Sequence, residues 1–424
     1  VVTAPCPDKA VSKHHAACYD CASLSMTDFI MLRDFSAQAL FMGVLTAFVG
    51  FASSFAVVLH GLTGVGATEA QATSGLMAVC VALGVSMILL SAVTRLPIAI
   101  AWSTPGAALL ANSGPIEGGF QTAVGGFLVC GVLIVIAGLW KPLGRMVAAI
   151  PTSLANAMLA GVLIGLCFAP AKAIAFNPLL GLPIVLAWAI VGAFNRLYAV
   201  PAALAAFIAV LAFGVEVPPG ALAGLADSLA PNPEFVMPIF TVAGFVGIAL
   251  PLFIVTMASQ NIPGIAVLKV NGYEPAPAPL FATTGVFSLL SAPFGSHAVN
   301  LAAITAAMCA GSDAHPDPKR RYWAPIVAGV CYVVFGPFVG AVTAFVALAP
   351  PILIQAVAGL ALISAFANSA LNAFKEIEGR EAAAVTFLVT ASGVSFAGIS
   401  GAFWGLVAGG LMLGLARLTA KRRG

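Results

Sequence analysis

Leu96–Gly114 reads LPIAIAWSTPGAALLANSG, and how it folds decides the rest of the chain. The stretch is apolar enough for a bilayer, yet it does not read as one helix. Pro97 opens an extended run, and Ser103-Thr104-Pro105-Gly106 then places helix-start chemistry in its middle. A hydroxyl caps free N–H groups, and proline fits the first helical position. A helix that begins inside an apolar segment directs N–H groups and a partial positive charge inward. Such backbone is tolerated in a membrane only where protein buries it or a cavity wets it. The break therefore predicts half of a binding site, with a second break completing it.

The composition agrees with a membrane setting. The chain has 424 residues, 61% hydrophobic and 8% charged, against about 25% charged in a soluble domain. That implies a polytopic α-helical protein. A net charge of +3 is too small to point to nucleic acid. Cys80, Cys130, Cys167, Cys309 and Cys331 lie in apolar segments, where cysteine serves as a small hydrophobe. Residues 1–33 hold Cys6, Cys18 and Cys21 with His14 and His15; one CxxC without a second ligand pair is a weak metal signal, and the stretch reads as a mobile tail. No cofactor or metal is expected.

From Asp34 onward the sequence divides into fourteen apolar segments separated by short polar or Pro/Gly breaks. Alternating them across a membrane, with both termini cytoplasmic, puts Arg33, Arg95, Lys141, Arg145, Arg196, Lys269, Lys319, Arg320, Arg321, Lys375, Arg380, Arg417, Lys421, Arg422 and Arg423 on the inner side. Only Lys172 falls outside. This is the positive-inside pattern, and a one-helix error would scramble it. Fourteen divides as seven plus seven. An odd unit, duplicated, inserts in opposite orientations, so the sequence predicts an inverted repeat. Segment 10 should then be broken like segment 3. Phe287–Gly311 supplies the mate, with Pro293 and Gly295 at a non-helical entrance. Ser296 is expected to cap a helix running toward Lys319, and the two helix N-termini to meet at the midplane.

Two opposed N-termini form an anion site without lysine or arginine. The expected ligands of a small organic anion are Ser103 and Thr104 on one side and Ser296, His297 and Asn300 on the other. Segment 8 adds Gln260 and Asn261 in TMASQNIPG, Thr256–Gly264. Ser53 and Ser54 of segment 1 either join the site or hydrogen-bond back to their own helix. Trp102, with Phe48, Phe51, Phe55, Phe287 and Phe294, could wall an apolar substrate body. All fifteen acids fall in the tail, in loops or at segment ends. His297 is thus the expected proton-coupling group, or else a histidine bonded within the core. A bound carboxylate would favour its charged form, so anion and proton would bind cooperatively.

The TMASQNIPG stretch, NGYEP at Asn271–Pro275, AWSTPGAALL at Ala101–Leu110 and FGSHAVNLAAITAA at Phe294–Ala307 resemble the bacterial benzoate transporter family, benzoate–proton symporters of the inner membrane. The resemblance runs over the chain after Arg33. It implies seven plus seven inverted helices, a fold shared with nucleobase transporters and sulfate permeases. A core domain would comprise residues 34–150 and 236–350, and a gate domain residues 151–235 and 351–424. It also implies elevator-like alternating access, a lipid bilayer setting and a homodimer. Nucleobase carriers of this fold bear acids in segments 8 and 10, where this chain has Gln260 and Asn300. That departure favours an aromatic carboxylate such as benzoate. An uncoupled anion channel or facilitator and a nucleobase-type proton symporter remain the alternatives. An enzyme is not expected, because no nucleophile–base pair, metal cluster or phosphate loop falls within the segments.

Overall fold

The computed structural model describes residues 34–114, 116–140, 142, 151–214, 230–302, 304–394 and 401–423. The tail with its Cys and His residues lies outside them.

The helices are α1 (Ala37–Gly64), α2 (Glu69–Thr94), α3 (Thr104–Ser113), α4 (Gly119–Leu139), α5 (Thr152–Cys167), α6 (Ala169–Phe176), α7 (Pro178–Phe194) and α8 (Ala199–Gly214). After them come α9 (Val242–Lys269), α10 (Pro277–Ser291), α11 (Ile304–Ala310), α12 (Trp323–Ala347), α13 (Pro351–Phe374), α14 (Arg380–Ala391) and α15 (Gly401–Arg423). Two short strands, β1 (Ile100–Trp102) and β2 (Val299–Leu301), lie just before α3 and α11. Among the described residues, eight helices are long and apolar enough to cross a membrane; α7 and α8 are shorter apolar helices.

Local chemistry explains the helix ends. Ser36 Oγ accepts the Ala39 N–H at the start of α1. Thr68 and Gln71 form a capping box at the start of α2. α9 contains two π turns, Phe245–Ala249 and Met257–Asn261. Each is followed within two residues by a proline, Pro251 and Pro263. Proline has no N–H and its ring crowds the carbonyl four residues back. A widened turn accommodates it, with Leu250 N–H bonding Phe245 O and Ile262 N–H bonding Met257 O.

Packing pairs distant segments. α12 lies along α2, α10 along α4, and α13 along α5, while α14 packs on both α5 and α15. The α2–α12 contact is close enough to require glycine. A Cβ at Gly84 would sit 2.6 Å from Gly329 O, and one at Gly329 would sit 2.6 Å from Gly84 O. Other glycines do similar work: Gly161, Gly405 and Gly409 face α14, and Gly336 faces α2. An extended segment, residues 231–241, is pinned across one end of these helices. Glu234 N–H donates to Ser74 Oγ at 2.8 Å, Val236 N–H to Pro293 O at 2.8 Å and Ile239 N–H to Gln121 O at 3.0 Å.

Candidate functional site

The two breaks cross. β1 and β2 pair antiparallel, with Ile100 opposite Leu301, Ala101 opposite Asn300 and Trp102 opposite Val299. Ser103 N–H extends the ladder to Ala298 O at one end, and Ala302 N–H reaches Ala99 O at the other, both at 2.9 Å. Because the strands are antiparallel, α3 and α11 leave the crossing in opposite directions. The extended backbone here is buried but not orphaned: the breaks exchange part of their hydrogen bonds, and Ser288 Oγ accepts the Val299 N–H and Asn261 Oδ1 the Leu301 N–H, both at 2.9 Å.

The first break follows its sequence closely. Ser103 Oγ accepts the Gly106 N–H at 3.2 Å and shares a 2.8 Å hydroxyl–hydroxyl bond with Thr256 of α9. Pro105 has no N–H, and Ala107 N–H is bound by Ser103 O at 2.7 Å. The first turn of α3 therefore offers at most the N–H and hydroxyl of Thr104, which is half-buried. The expected array of bare N–H groups is thinner than the sequence suggested.

The second break departs further. Gly295 takes φ +88°, a conformation that favours glycine. Ser296 is not a helix cap. It is fully buried and accepts a hydrogen bond from Ser291 Oγ at 3.1 Å. The chain continues extended through β2, and the seven-residue α11 starts only at Ile304. Pairing with β1, a non-local contact, overrides the local cap signal.

His297 and Asn300 are both fully buried. His297 Nε2 lies 3.1 Å from Ser103 O. A carbonyl only accepts, so Nε2 carries the hydrogen and Nδ1 presents a lone pair. Nδ1 has no partner among the described residues. The Asn300 amide donates to Leu301 O at 2.7 Å, while its Oδ1 is likewise buried and unpartnered. Two acceptors are thus left open at the second break.

α9 braces the crossing through its second π turn. Asn261 Oδ1 accepts the Leu301 N–H at 2.9 Å, and its amide contacts Met257 Sδ at 3.1 Å. Asn261 is fully buried and positions β2. Gln260 beside it is half-buried. From α1, Ser54 Oγ accepts the Trp102 indole N–H at 2.9 Å and lies 3.1 Å from Gly50 O, to which it donates. This serine bonds its own helix, as one of the two expectations has it, and also accepts from Trp102. The Ser53 side chain lies outside the described residues.

Trp102 stands in an aromatic cluster. Phe51 stacks on Phe55 with centroids 5.3 Å apart and meets Trp102 edge-on at 6.0 Å. Tyr332 and Phe335 of α12 close the group, at 5.9 Å from Trp102 and 5.5 Å from Phe51 respectively. These two were missed from sequence, and an aromatic pair three residues apart in one helix was the available signal. Of the other expected walls, Phe48 is exposed and Phe294 pairs with Phe235 at 6.0 Å, away from Trp102. Among the described residues no acid is buried; the one buried charged side chain is Arg321, whose guanidinium bonds Ala310 O at 2.8 Å, at the far end of α11.

Residues 33–415 match the family described as "Benzoate membrane transport protein". The chain belongs to this family. The chain is 40% identical over 382 residues to "Inner membrane protein YdcO" of Escherichia coli, covering 90% of this chain and 96% of that one. It is 31% identical over 377 residues to the "Benzoate membrane transport protein" of Acinetobacter baylyi, covering 89% and 94%. Solved structures share the fold at low identity. The transmembrane domain of a cyanobacterium bicarbonate transporter, BicA, aligns with TM-score 0.60 at 14% identity, over 88% of this chain and 96% of that one. Murine Solute Carrier 26 family member A9, an anion transporter in the inward-facing state, aligns with TM-score 0.54 at 13% identity, over 92% and 69%. This benzoate-family chain is therefore a polytopic membrane transporter and not an enzyme.

Proposed function

We propose that the protein imports benzoate or a similar aromatic carboxylate together with protons, by elevator-like alternating access, across a bacterial inner membrane. The observation that carries this reading is the crossing of β1 and β2. Thr104 and Gln260, both half-buried, and the aromatic cluster around Trp102 belong to the elements that meet there, and His297 Nδ1 and Asn300 Oδ1 are buried without partners among the described residues. Thr104 and Gln260 would hold the carboxylate, and Trp102 with Phe51 would face the ring. His297 Nδ1 is the atom that takes the proton. Once protonated it becomes a donor aimed at a carboxylate, so each ligand strengthens the other's binding. Ser54, Ser103, Ser296, Asn261 and Asn300 hold the two breaks in register around that site.

The helix pairings support the two-body division into core (residues 34–150 and 236–350) and gate (151–235 and 351–424). α2, α4, α10 and α12 pair among themselves, as do α5, α13, α14 and α15. The core would carry the site past the gate. The distribution of lysine and arginine supports cytoplasmic termini, and a homodimer would steady the gate.

The test is uptake into proteoliposomes. An inward proton gradient should drive radiolabelled benzoate above equilibrium, and a proton ionophore should abolish the excess. Uptake that only reaches equilibrium under every gradient would replace this reading with an uncoupled facilitator. That second reading draws on one observation, the lack of any buried acid among the described residues.

A further inference from the structure

A cavity of about 540 Å³ lies away from the crossing, between α1, α2, α12, α13 and the start of the 231–241 segment. Its size falls within the range of about 300–1,000 Å³ typical of small-molecule sites. Leu59, Met77 and Ile354 give it an apolar wall, and His60 and Gln355 face it from opposite helices. Both polar side chains are half-buried, and neither makes a hydrogen bond among the described residues. The nearby hydroxyls are already engaged: Thr73 and Thr343 bond each other at 2.9 Å, and Thr343 donates to Gly340 O. An amide and an imidazole left open above an apolar wall match a ligand with one polar head and a flat apolar body.

The cavity is also in line with the crossing. Phe51, Phe55, Leu59 and Thr63 follow one another at four-residue spacing, so they form one stripe along α1. Its lower end is the aromatic cluster around Trp102, and its upper end lines the cavity. The titratable groups facing the cavity are His60 of α1 and Glu69 of α2; α12, α13 and residues 230–232 contribute none. Glu69 is exposed at the rim.

We propose that this cavity is a second binding site for an aromatic carboxylic acid, a waiting position on the route to the crossing. The carboxyl group bonds His60 and Gln355, and the ring lies on Leu59, Met77 and Ile354. The proposal rests on the reading of an aromatic carboxylate as substrate, and the experiment separates the two. Binding of radiolabelled benzoate to the full chain in lipid nanodiscs should give two molecules per chain. His60→Leu with Gln355→Leu should reduce this to one, and Ala56→Phe, which fills the floor, should do the same. Glu69→Gln, which removes a rim charge of like sign, should tighten the affected site severalfold at low salt. Chromatographic profile and melting midpoint check that each variant is folded. Two molecules retained in both the double variant and Ala56→Phe would overturn the proposal, as would a single molecule that only Gln260→Leu removes. A single molecule lost in the double variant and kept in Gln260→Leu would support the cavity and move the substrate site away from the crossing. No bound benzoate at all would overturn both readings.

Discussion

At the first break, the polar side chains with described bonds are engaged: Ser103 Oγ holds Gly106 N–H and Thr256, and the Trp102 indole holds Ser54. At the second, reached by the same topology, His297 Nδ1 and Asn300 Oδ1 are buried without partners among the described residues. An unmade bond at a buried acceptor costs about 1–3 kcal/mol. On the reading proposed above, the contrast divides the labour: Ser103 and the indole N–H of Trp102 are framework at the first break, and the second break supplies the open acceptor that takes the proton. Asn261 belongs with the framework although it sits in α9, because its carbonyl supports β2 and leaves little for a ligand.

The largest effect should come from the second break. His297→Gln keeps a buried polar side chain of similar reach and removes the titrating nitrogen. For one proton per substrate, each pH unit drives about tenfold accumulation, since a factor of ten is about 1.4 kcal/mol. The variant should lose that accumulation while still binding benzoate, measured in proteoliposomes and by direct binding respectively. Retained accumulation would break the comparison at its centre. Next in size is Asn261→Leu, which leaves the Leu301 N–H buried and unpaired at a cost of about 1–3 kcal/mol. The melting midpoint should fall and binding should weaken. Asn261→Asp, which keeps an acceptor, should recover much of the midpoint.

What was readable in the sequence follows the range of the interactions involved. The first break is legible because capping is local: Ser103 and Pro105 sit within three residues of the N–H they serve. The inverted plan is legible because loop charge and segment count are summed along the chain. At the second break Pro293 and Gly295 announce an entrance, yet Ser296 misleads. Residues 299–301 are extended because residues 100–102 pair with them, across nearly two hundred positions. The same limit hides the Asn261–Leu301 bond and the approach of Tyr332 and Phe335 to Trp102. Nothing local marks His60 in the sequence; the cavity it faces exists only because α12 and α13 pack beside α1 and α2. Polar type is visible in sequence, but whether a polar atom is satisfied depends on its neighbours in space.

Ser103→Ala should come third. It removes the cap of α3, worth about 1 kcal/mol, and takes a partner from buried Thr256. Stability should fall by about that amount in thermal unfolding, and proton-driven uptake should persist at a reduced rate. Loss of coupling with stability intact would mean that the first break also handles the proton.

The smallest effect, and the sharpest test of framework against receiver, is Trp102→Phe. Phenylalanine keeps an aromatic ring against Phe51 and Tyr332. It loses the indole N–H, but Ser54 Oγ still has Gly50 O as an acceptor and is not stranded. Removing one hydrogen bond whose other partner remains satisfied costs about 0.5–1.5 kcal/mol. The melting midpoint should therefore drop slightly and benzoate affinity should stay within a few-fold of wild type. A tenfold or greater loss of affinity with the midpoint unchanged would mean that the indole N–H turns from Ser54 to the substrate when the site is occupied. The indole N–H would then be a substrate ligand, and not framework.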